Sequence, residues 1–369
     1  MKHMEHNRPK RFMIAGGGTG GHIFPAIAIA NALKKKMPDS VFLFVGAKGK
    51  MEMEKVPQAG YEIEGLTIAG FNRSSLMKNI GLPFKLIKSF FETASIVKRF
   101  KPDAVIGVGG YSSFPVLKYA QSKGIPTFIH EANSFAGKSN IMLAKKATAV
   151  FTASDGMEKF FPANKIEVTG NPVRHSIMSQ SKTRENAIRQ FGLDPFKKVI
   201  FSVGGSLGAL SINKALVSGL DKLEKEGIQL IWQTGKPFFV NAEKSCQNRK
   251  GIWVSDFVNN IEVAYAAADL VISRSGAMSV AELSVVGKPV IFVPYPHAAE
   301  DHQTENAKKL SDKKAAVLIA DNKTESILVD AAIELVKNEE KRKNMQESIL
   351  SFGIADADER IANAIMKKL

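Results

Sequence analysis

The chain carries a single cysteine, Cys246, with two tryptophans and five tyrosines among 369 residues. One thiol cannot close an internal disulfide, and so little cysteine fits a reducing compartment. No Cys and His residues stand at zinc-motif spacing, so no metal is expected. No run of about 18 apolar residues occurs, which argues against a membrane-spanning helix. The stretch Met1–Arg11 is basic and polar, and the four apolar residues Phe12–Ala15 are too few for a secretory signal core. A cytoplasmic location is therefore expected. Gly-Lys-Ser occurs at Gly137-Lys138-Ser139, but Ala132 stands where the P-loop pattern G-x-x-x-x-G-K-[ST] has its first glycine, so that pattern is not met, and no low-complexity segment occurs.

What is present suits two domains. The length and a 44% hydrophobic content are enough for two cores. The net charge of +15 is unevenly spread: residues 1–172 carry 24 Lys and Arg against 12 Asp and Glu, while residues 173–369 carry 27 against 24. A half with a net charge of +12 is suited to an anionic partner, whether nucleic acid, an acidic substrate or a membrane surface.

Two glycine-rich turns of the same design lie 188 residues apart. Gly16-Gly17-Gly18-Thr19-Gly20-Gly21-His22 follows the apolar run Phe12–Ala15. Gly204-Gly205-Ser206-Leu207-Gly208-Ala209 follows Val199–Val203. Each reads as a buried strand, a tight turn and a helix start, where unpaired N–H groups and the positive end of the helix dipole favour anions. The first turn is not a dinucleotide fingerprint, because Val45 is followed by Gly46-Ala47-Lys48 and no acid ends the next strand.

Short apolar runs alternate with helical patterns along both halves. Candidate strands are Phe12–Ala15, Val41–Val45, Ala104–Val108, Thr127–Ile129, Ala149–Thr152 and Ile166–Val168, then Val199–Val203, Gln229–Gln233, Ile252–Val254, Leu270–Ser273, Val290–Val293 and Ala316–Leu318. This alternation predicts parallel sheets with right-handed crossovers. Gly170-Asn171-Pro172-Val173-Arg174 marks a domain junction. The expected division is an N-terminal Rossmann-like domain over 1–173 and a second over 174–351. The tail from Thr324 to Leu369 reads as wholly helical, its last part, about 352–369, packing back on the first domain.

Several groups sit where strands end, the position at which open α/β sheets bind ligands. His22 lies where turn becomes helix and reads either as a reacting group or as a capping histidine. Glu131 and Asn133, in His130-Glu131-Ala132-Asn133, suit a substrate hydroxyl or form an ordinary polar loop. Gly107–Ser113, with Tyr111, offers a further pocket wall. In the second half, Ser275, Gly276 and Ala277 are small enough for helix-start N–H groups to face a diphosphate, and Glu282 follows on the same helix. Gln303 and Asn306 share one helical face. Between Arg73 and Lys101, apolar residues interleave with seven Lys and Arg, and Glu92 is the only acid. Phe84, Ile87, Phe91 and Ala94 form one face, which suits an anionic bilayer or a core-facing helix with snorkelling lysines.

Taken in order, Gly-Gly-Thr-Gly-Gly-His, His-Glu-x-Asn, Gly-Asn-Pro-Val-Arg, Gly-Gly-Ser-x-Gly-Ala, Arg-Ser-Gly-Ala and Asp-His-Gln-x-x-Asn-Ala resemble the MurG family of peptidoglycan N-acetylglucosaminyltransferases. The likeness runs from about Met13 to Ala307. It implies a GT-B fold, in which two Rossmann-like, doubly wound parallel-sheet α/β domains face an interdomain cleft. It also implies inverting transfer of GlcNAc from UDP-GlcNAc to the 4-hydroxyl of MurNAc in undecaprenyl-pyrophosphoryl-MurNAc-pentapeptide (lipid I), giving lipid II. The enzyme would be peripheral, on the cytoplasmic face of the bacterial inner membrane, with no cofactor and no nucleic-acid partner.

By motif, the resemblance assigns UDP-GlcNAc contacts to Thr19, Gly20, Gly21, Asn133, Arg174, Ser206, Val258, Ala277, Met278, Ser279, Val280, Ala281, Glu282 and Gln303. Val258 would lie beside the uracil and Glu282 on the ribose, with the acceptor near His22 and Tyr111. Ala132 and Leu207 stand where the family pattern has glutamine. A departing diphosphate needs helix-end N–H groups and a cation, with Arg274 or Arg174 as candidates. A general base must take the acceptor proton, for which His22 is favoured and Glu131 is the alternative. Another GT-B transferase acting on a lipid or small-molecule acceptor would share the nucleotide half. A nucleic-acid-binding protein fits the charge but lacks recognisable binding motifs.

Overall fold

The computed structural model describes residues 8–70, 81–178 and 183–369. The chain forms two compact units, one comprising the residues up to Arg174 together with Asp356–Leu369, the other His175–Ala355.

In the first unit β1 (Arg11–Ala15), α1 (Gly20–Lys36), β2 (Val41–Ala47), α2 (Glu52–Gln58), β3 (Glu62–Leu66), α3 (Leu82–Phe100), β4 (Ala104–Gly107), α4 (Ser113–Ser122), β5 (Thr127–Glu131), α5 (Lys138–Ala144), β6 (Ala149–Thr152) and β7 (Ile166–Val168) follow one another. All pairings are parallel, in the order β3-β2-β1-β4-β5-β6-β7. The central strands are buried on both faces, which is why they read as unbroken apolar runs such as Phe12-Met13-Ile14-Ala15. The strand β3 escaped the sequence reading. Its Glu-Ile-Glu-Gly-Leu is half polar because it is an edge strand, and charge there discourages pairing with another chain.

The second unit repeats the plan with α6 (His175–Met178), α7 (Arg184–Gln190), β8 (Val199–Val203), α8 (Leu210–Lys225), β9 (Gln229–Gln233), α9 (Phe239–Ser245), β10 (Ile252–Ser255), α10 (Ile261–Ala267), β11 (Leu270–Ser273), α11 (Ala277–Val286), β12 (Val290–Phe292), α12 (His302–Ser311), β13 (Val317–Leu318), α13 (Thr324–Lys337) and α14 (Glu339–Leu350). Its six parallel strands run β10-β9-β8-β11-β12-β13. The final helix, α15 (Ala357–Met366), belongs to the first unit. Its Ile361 and Ile365 are fully buried in the cluster that holds Ile23, Ile29 and Leu33 of α1. Burial of each isoleucine contributes about 1.5–3 kcal/mol, and Lys35 pairs with Glu359 at 3.0 Å across the same contact.

The tail is not one helical run. Asn338 leaves helical geometry (ψ 98°), and its side chain caps α14 by accepting from Lys341 N–H. Gly353 passes so close to α11 that a Cβ there would stand 2.7 Å from the Ser284 carbonyl.

Each sheet reverses its winding direction once, between β1 and β4 in the first unit and between β8 and β11 in the second. Crossovers leave these neighbouring strands toward opposite faces, so the space beyond their C-terminal ends stays open. Both glycine-rich turns begin there.

Candidate active site

The first turn leaves β1 with Gly17 and Gly18 at φ +150° and +89°, backbone that a side chain would strain. Helix α1 then begins with Thr19 as its N-cap, which makes His22 the third helical residue. Its ring is held from two sides. The Nδ1 lies 3.0 Å from the Gly17 carbonyl and 3.4 Å from the Thr19 hydroxyl. A Cβ on Gly109, in the turn after β4, would stand 2.8 Å from His22 Nε2. Since a carbonyl only accepts, Nδ1 carries the proton and the imidazole lone pair sits on Nε2. The two turns are tied together, with Gly17 N–H donating to Gly109 O at 3.3 Å and the Ser113 hydroxyl to Ala15 O and Gly109 O. Tyr111 is 55% exposed and its ring covers Gly70. Gly20 and Gly21 form the first turn of α1, and Thr19 is exposed.

Glu131 ends β5 and is buried. Its Oε1 accepts from Asn133 N–H at 3.1 Å and Asn133 Nδ2 at 3.3 Å. Its Oε2 accepts from Gly137 N–H at 3.1 Å and Asn140 Nδ2 at 2.8 Å. With both oxygens engaged by donors that shape the loop, the carboxylate acts here as a structural acceptor, which weighs against its use as the alternative base. The preceding His130 is fully buried, and burial pushes its imidazole down to about 4 despite opposing interactions with Gly170 and Asn171, with neighbouring His22, when protonated, acting in the same direction as burial. The Ala132 carbonyl accepts from Asn171 Nδ2 at 2.9 Å, so a residue without a polar side chain is accommodated there. Arg174, the last residue of the unit before the chain crosses to the second, lies over the Phe24 ring of α1 at 5.0 Å.

In the second unit Gly208 (φ +76°) runs against β9 so closely that a Cβ would overlap the Thr234 carbonyl. This contact packs the turn against the sheet and leaves Ser206 and Leu207 outside, Leu207 77% exposed. Gln233 braces the turn, donating to Gly205 O at 2.9 Å and accepting Val258 N–H at 3.1 Å. Val258 itself is buried in the core behind β8. At the end of β11, helix α11 starts at Ala277 with Gly276 as N-cap. Ala277, Met278, Ser279, Val280 and Ala281 are half-buried, and Glu282 is buried with the Tyr265 hydroxyl 3.3 Å from its Oε2. Gln303 and Asn306 brace these loops: Gln303 Oε1 accepts Tyr295 N–H at 3.0 Å, and Asn306 Nδ2 donates to Ser275 O at 3.2 Å.

Arg274 is not available as a diphosphate clamp in this structure. Its guanidinium donates to the Val293 and Pro294 carbonyls at 3.0 Å and pairs with Asp321 at 2.6 Å, and the side chain is 11% exposed. It locks the ends of β11 and β12 instead.

On α3 the expected face is inverted relative to a core-facing helix. Phe84, Ile87 and Phe91 are 76%, 57% and 73% exposed, whereas Ser89 and Thr93 point inward with Ile96, Val97 and Phe100. The upstream part of that segment, including Arg73, Leu76, Met77, Lys78 and Ile80, lies outside the described residues. No described helix is long and apolar enough to cross a membrane. Among the described residues no group of three or more His, Cys, Asp or Glu is placed to hold a metal ion.

Both halves match models of known domains: residues 12–152 the glycosyltransferase family 28 N-terminal domain, and residues 199–361 the family 28 C-terminal domain. A protein of Cytophaga hutchinsonii, named UDP-N-acetylglucosamine–N-acetylmuramyl-(pentapeptide) pyrophosphoryl-undecaprenol N-acetylglucosamine transferase, is 49% identical over 99% of this chain and 98% of its own. A Phocaeicola vulgatus protein of the same name is 50% identical over 99% and 97%. The crystal structure of Acinetobacter baumannii MurG matches with a TM-score of 0.79 at 30% identity, covering 97% of this chain and 100% of that one. This chain belongs to the MurG family of glycosyltransferases. Its two-sheet GT-B architecture extends to more distant folds, such as the UDP-GlcNAc 2-epimerase of Neisseria meningitidis, with a TM-score of 0.69 at 16% identity over 97% of this chain and all of that one.

In this MurG-family chain the predicted site residues of the first unit gather at the C-terminal strand ends around β1, β4 and β5, and those of the second around β8, β10, β11 and β12. Sequence reasoning passed over Glu52, Gln233 and Tyr265, which hold the site from behind. Glu52 lies in a short, charged helical segment that reads as surface, and the trace of its burial is the pair of glycines, Gly17 and Gly46, against which its side chain packs.

Proposed function

We propose that this chain transfers GlcNAc from UDP-GlcNAc to the 4-hydroxyl of MurNAc in undecaprenyl-pyrophosphoryl-MurNAc-pentapeptide, with inversion, forming lipid II for the cell wall. The observation that carries this reading is the near full-length identity of about half with relatives named for that reaction. The His22 geometry supports the chemistry. The acceptor oxygen attacks the anomeric carbon while Nε2 of His22 takes its proton, and the bond from that carbon to the diphosphate oxygen breaks in the same displacement. The charge that develops on the departing UDP suits backbone amides of the second glycine turn and of the α11 start, a preorganised electrostatic role. The position of Glu282 on α11 fits a ribose contact.

The outward Phe84, Ile87 and Phe91, beside Lys85 and Lys88, support peripheral attachment to an anionic bilayer, which suits an acceptor anchored in that bilayer.

The test is transfer of radiolabelled GlcNAc to lipid I against a panel of other lipid and small-molecule acceptors. Lipid I alone should be glycosylated at a useful rate. His22→Ala should lower kcat by about 10²- to 10⁴-fold while the calorimetric Kd for UDP-GlcNAc stays within about twofold. Failure to bind any uridine diphospho-sugar would refute the reading.

A further inference from the structure

We propose that Glu52 is a positioning residue of the transfer reaction, acting on His22 through the single peptide group that joins Gly17 to Gly18. The proposal rests on the reading of His22 as general base.

Glu52, the first residue of α2, is 1% exposed. Its Oε1 accepts Ala47 N–H at 2.9 Å, at the end of β2, and its Oε2 accepts Gly18 N–H at 2.8 Å, in the turn after β1. The carboxylate thus bridges the C-terminal ends of two adjacent parallel strands. The space it occupies is kept by glycines. A Cβ on Gly17 would fall inside the Glu52 carboxyl group, and one on Gly46 would stand 2.5 Å from its Cγ.

The Gly18 N–H that Glu52 holds and the Gly17 C=O that receives His22 Nδ1–H, at 3.0 Å, belong to the same peptide unit. A trans peptide is planar, with N–H and C=O pointing opposite ways. Fixing one end therefore aims the other. The chain of contacts runs from Glu52 carboxylate to Gly18 N–H, through the amide to Gly17 C=O, and on to His22 Nδ1–H. Two effects follow. Orientation of the carbonyl selects the Nδ1–H tautomer and leaves the lone pair on Nε2. Polarisation of the amide by the carboxylate makes the carbonyl a better acceptor, by about 10–30% per bond, and so favours the imidazolium that forms when the base takes its proton. This is the task of the carboxylate in a Ser-His-Asp triad, carried out one peptide further away.

The arrangement also separates the jobs of the two glycine turns. A carboxylate already occupies an amide of the first, which weakens that turn as a cradle for a diphosphate, whereas a neutral side chain, Gln233, braces the second.

The test is Glu52→Gln, which keeps shape and one acceptor but removes the charge. Expected are a fall in kcat of about 10- to 100-fold, a KM for UDP-GlcNAc within about twofold, and an acidic limb of the pH–rate profile displaced to lower pH, because the imidazolium loses a stabilising anion. Wild-type kcat and an unmoved limb would overturn the proposal. Should the variant not fold, ¹⁵N NMR of the wild-type enzyme decides: a His22 with the proton on Nδ1 is expected, and a proton on Nε2 overturns it. Full activity of His22→Ala is a separate result, and would instead remove the general-base reading on which this proposal stands.

Discussion

Glu131 and His22 offer a double dissociation between structure and chemistry. In Glu131→Gln one carboxylate oxygen becomes an NH₂ group and faces donors rather than receiving them. If Oε2 is replaced, the bonds from Gly137 N–H and Asn140 Nδ2 are lost; if Oε1 is replaced, both bonds from Asn133 are lost. Hydrogen bonds to a charged group contribute about 1.5–3 kcal/mol each, and partial rearrangement recovers some of that, so a loss of about 2–4 kcal/mol is expected. For a unit of this size each kcal/mol moves Tm by roughly 2–4 °C. Scanning calorimetry should show the melting of the first unit lowered by roughly 5–15 °C, with GlcNAc transfer at about 20 °C reduced only modestly. His22→Gln should do the reverse, leaving Tm within about 2 °C, as expected for a partly exposed side chain, and removing turnover. An unchanged Tm together with a collapse of kcat in Glu131→Gln would refute this assignment and make Glu131 the base.

Other outcomes follow from the same geometry. His130 titrates near 4 in the fold and near 6.5 when unfolded, so the unfolded chain binds more protons between those values and stability rises with pH across that window. Chemical denaturation should show the first unit losing about 2 kcal/mol from about pH 7 to about pH 5 through this group, and an equal slope in His130→Leu would disprove the attribution. Replacing Phe84 and Phe91 together by serine should weaken binding to phosphatidylglycerol vesicles roughly 100-fold without changing Tm, since both side chains already face water; equal co-sedimentation of variant and wild type would remove α3 from the membrane role. Arg274→Gln removes the guanidinium from the Val293 and Pro294 carbonyls and leaves Asp321 with the Ser211 hydroxyl but no cation, which should cost about 2 kcal/mol of stability in the second unit; an unchanged Tm with a large loss of UDP-GlcNAc affinity would restore Arg274 as a phosphate ligand.

The central strands were legible in the chain because burial on both faces demands unbroken apolar residues, as in Val199–Val203 and Leu270–Ser273. The turns were legible because glycine, asparagine and small residues leave a local signature, so the placing of His22, Ser206 and Ala277 at strand ends follows from the order of residues alone. Edge strand β3 and the breaks in the C-terminal helices carried weaker signals, because one exposed face or one capping asparagine changes little in the local pattern.

Composition and order thus determined the repeated β-turn-α plan, the charge imbalance and the glycine-rich turns at the strand ends, all of which depend on neighbours in sequence. What each polar side chain does depended on neighbours in space. Arg274 is consumed by carbonyls and by Asp321, 47 residues away. Glu131 is saturated by its own loop. Glu52, 34 residues from Gly18, reaches it only because β1 and β2 lie side by side. A hydrogen bond forms over about 3 Å, whatever the length of chain between its partners, so which polar side chains became braces was decided by tertiary packing.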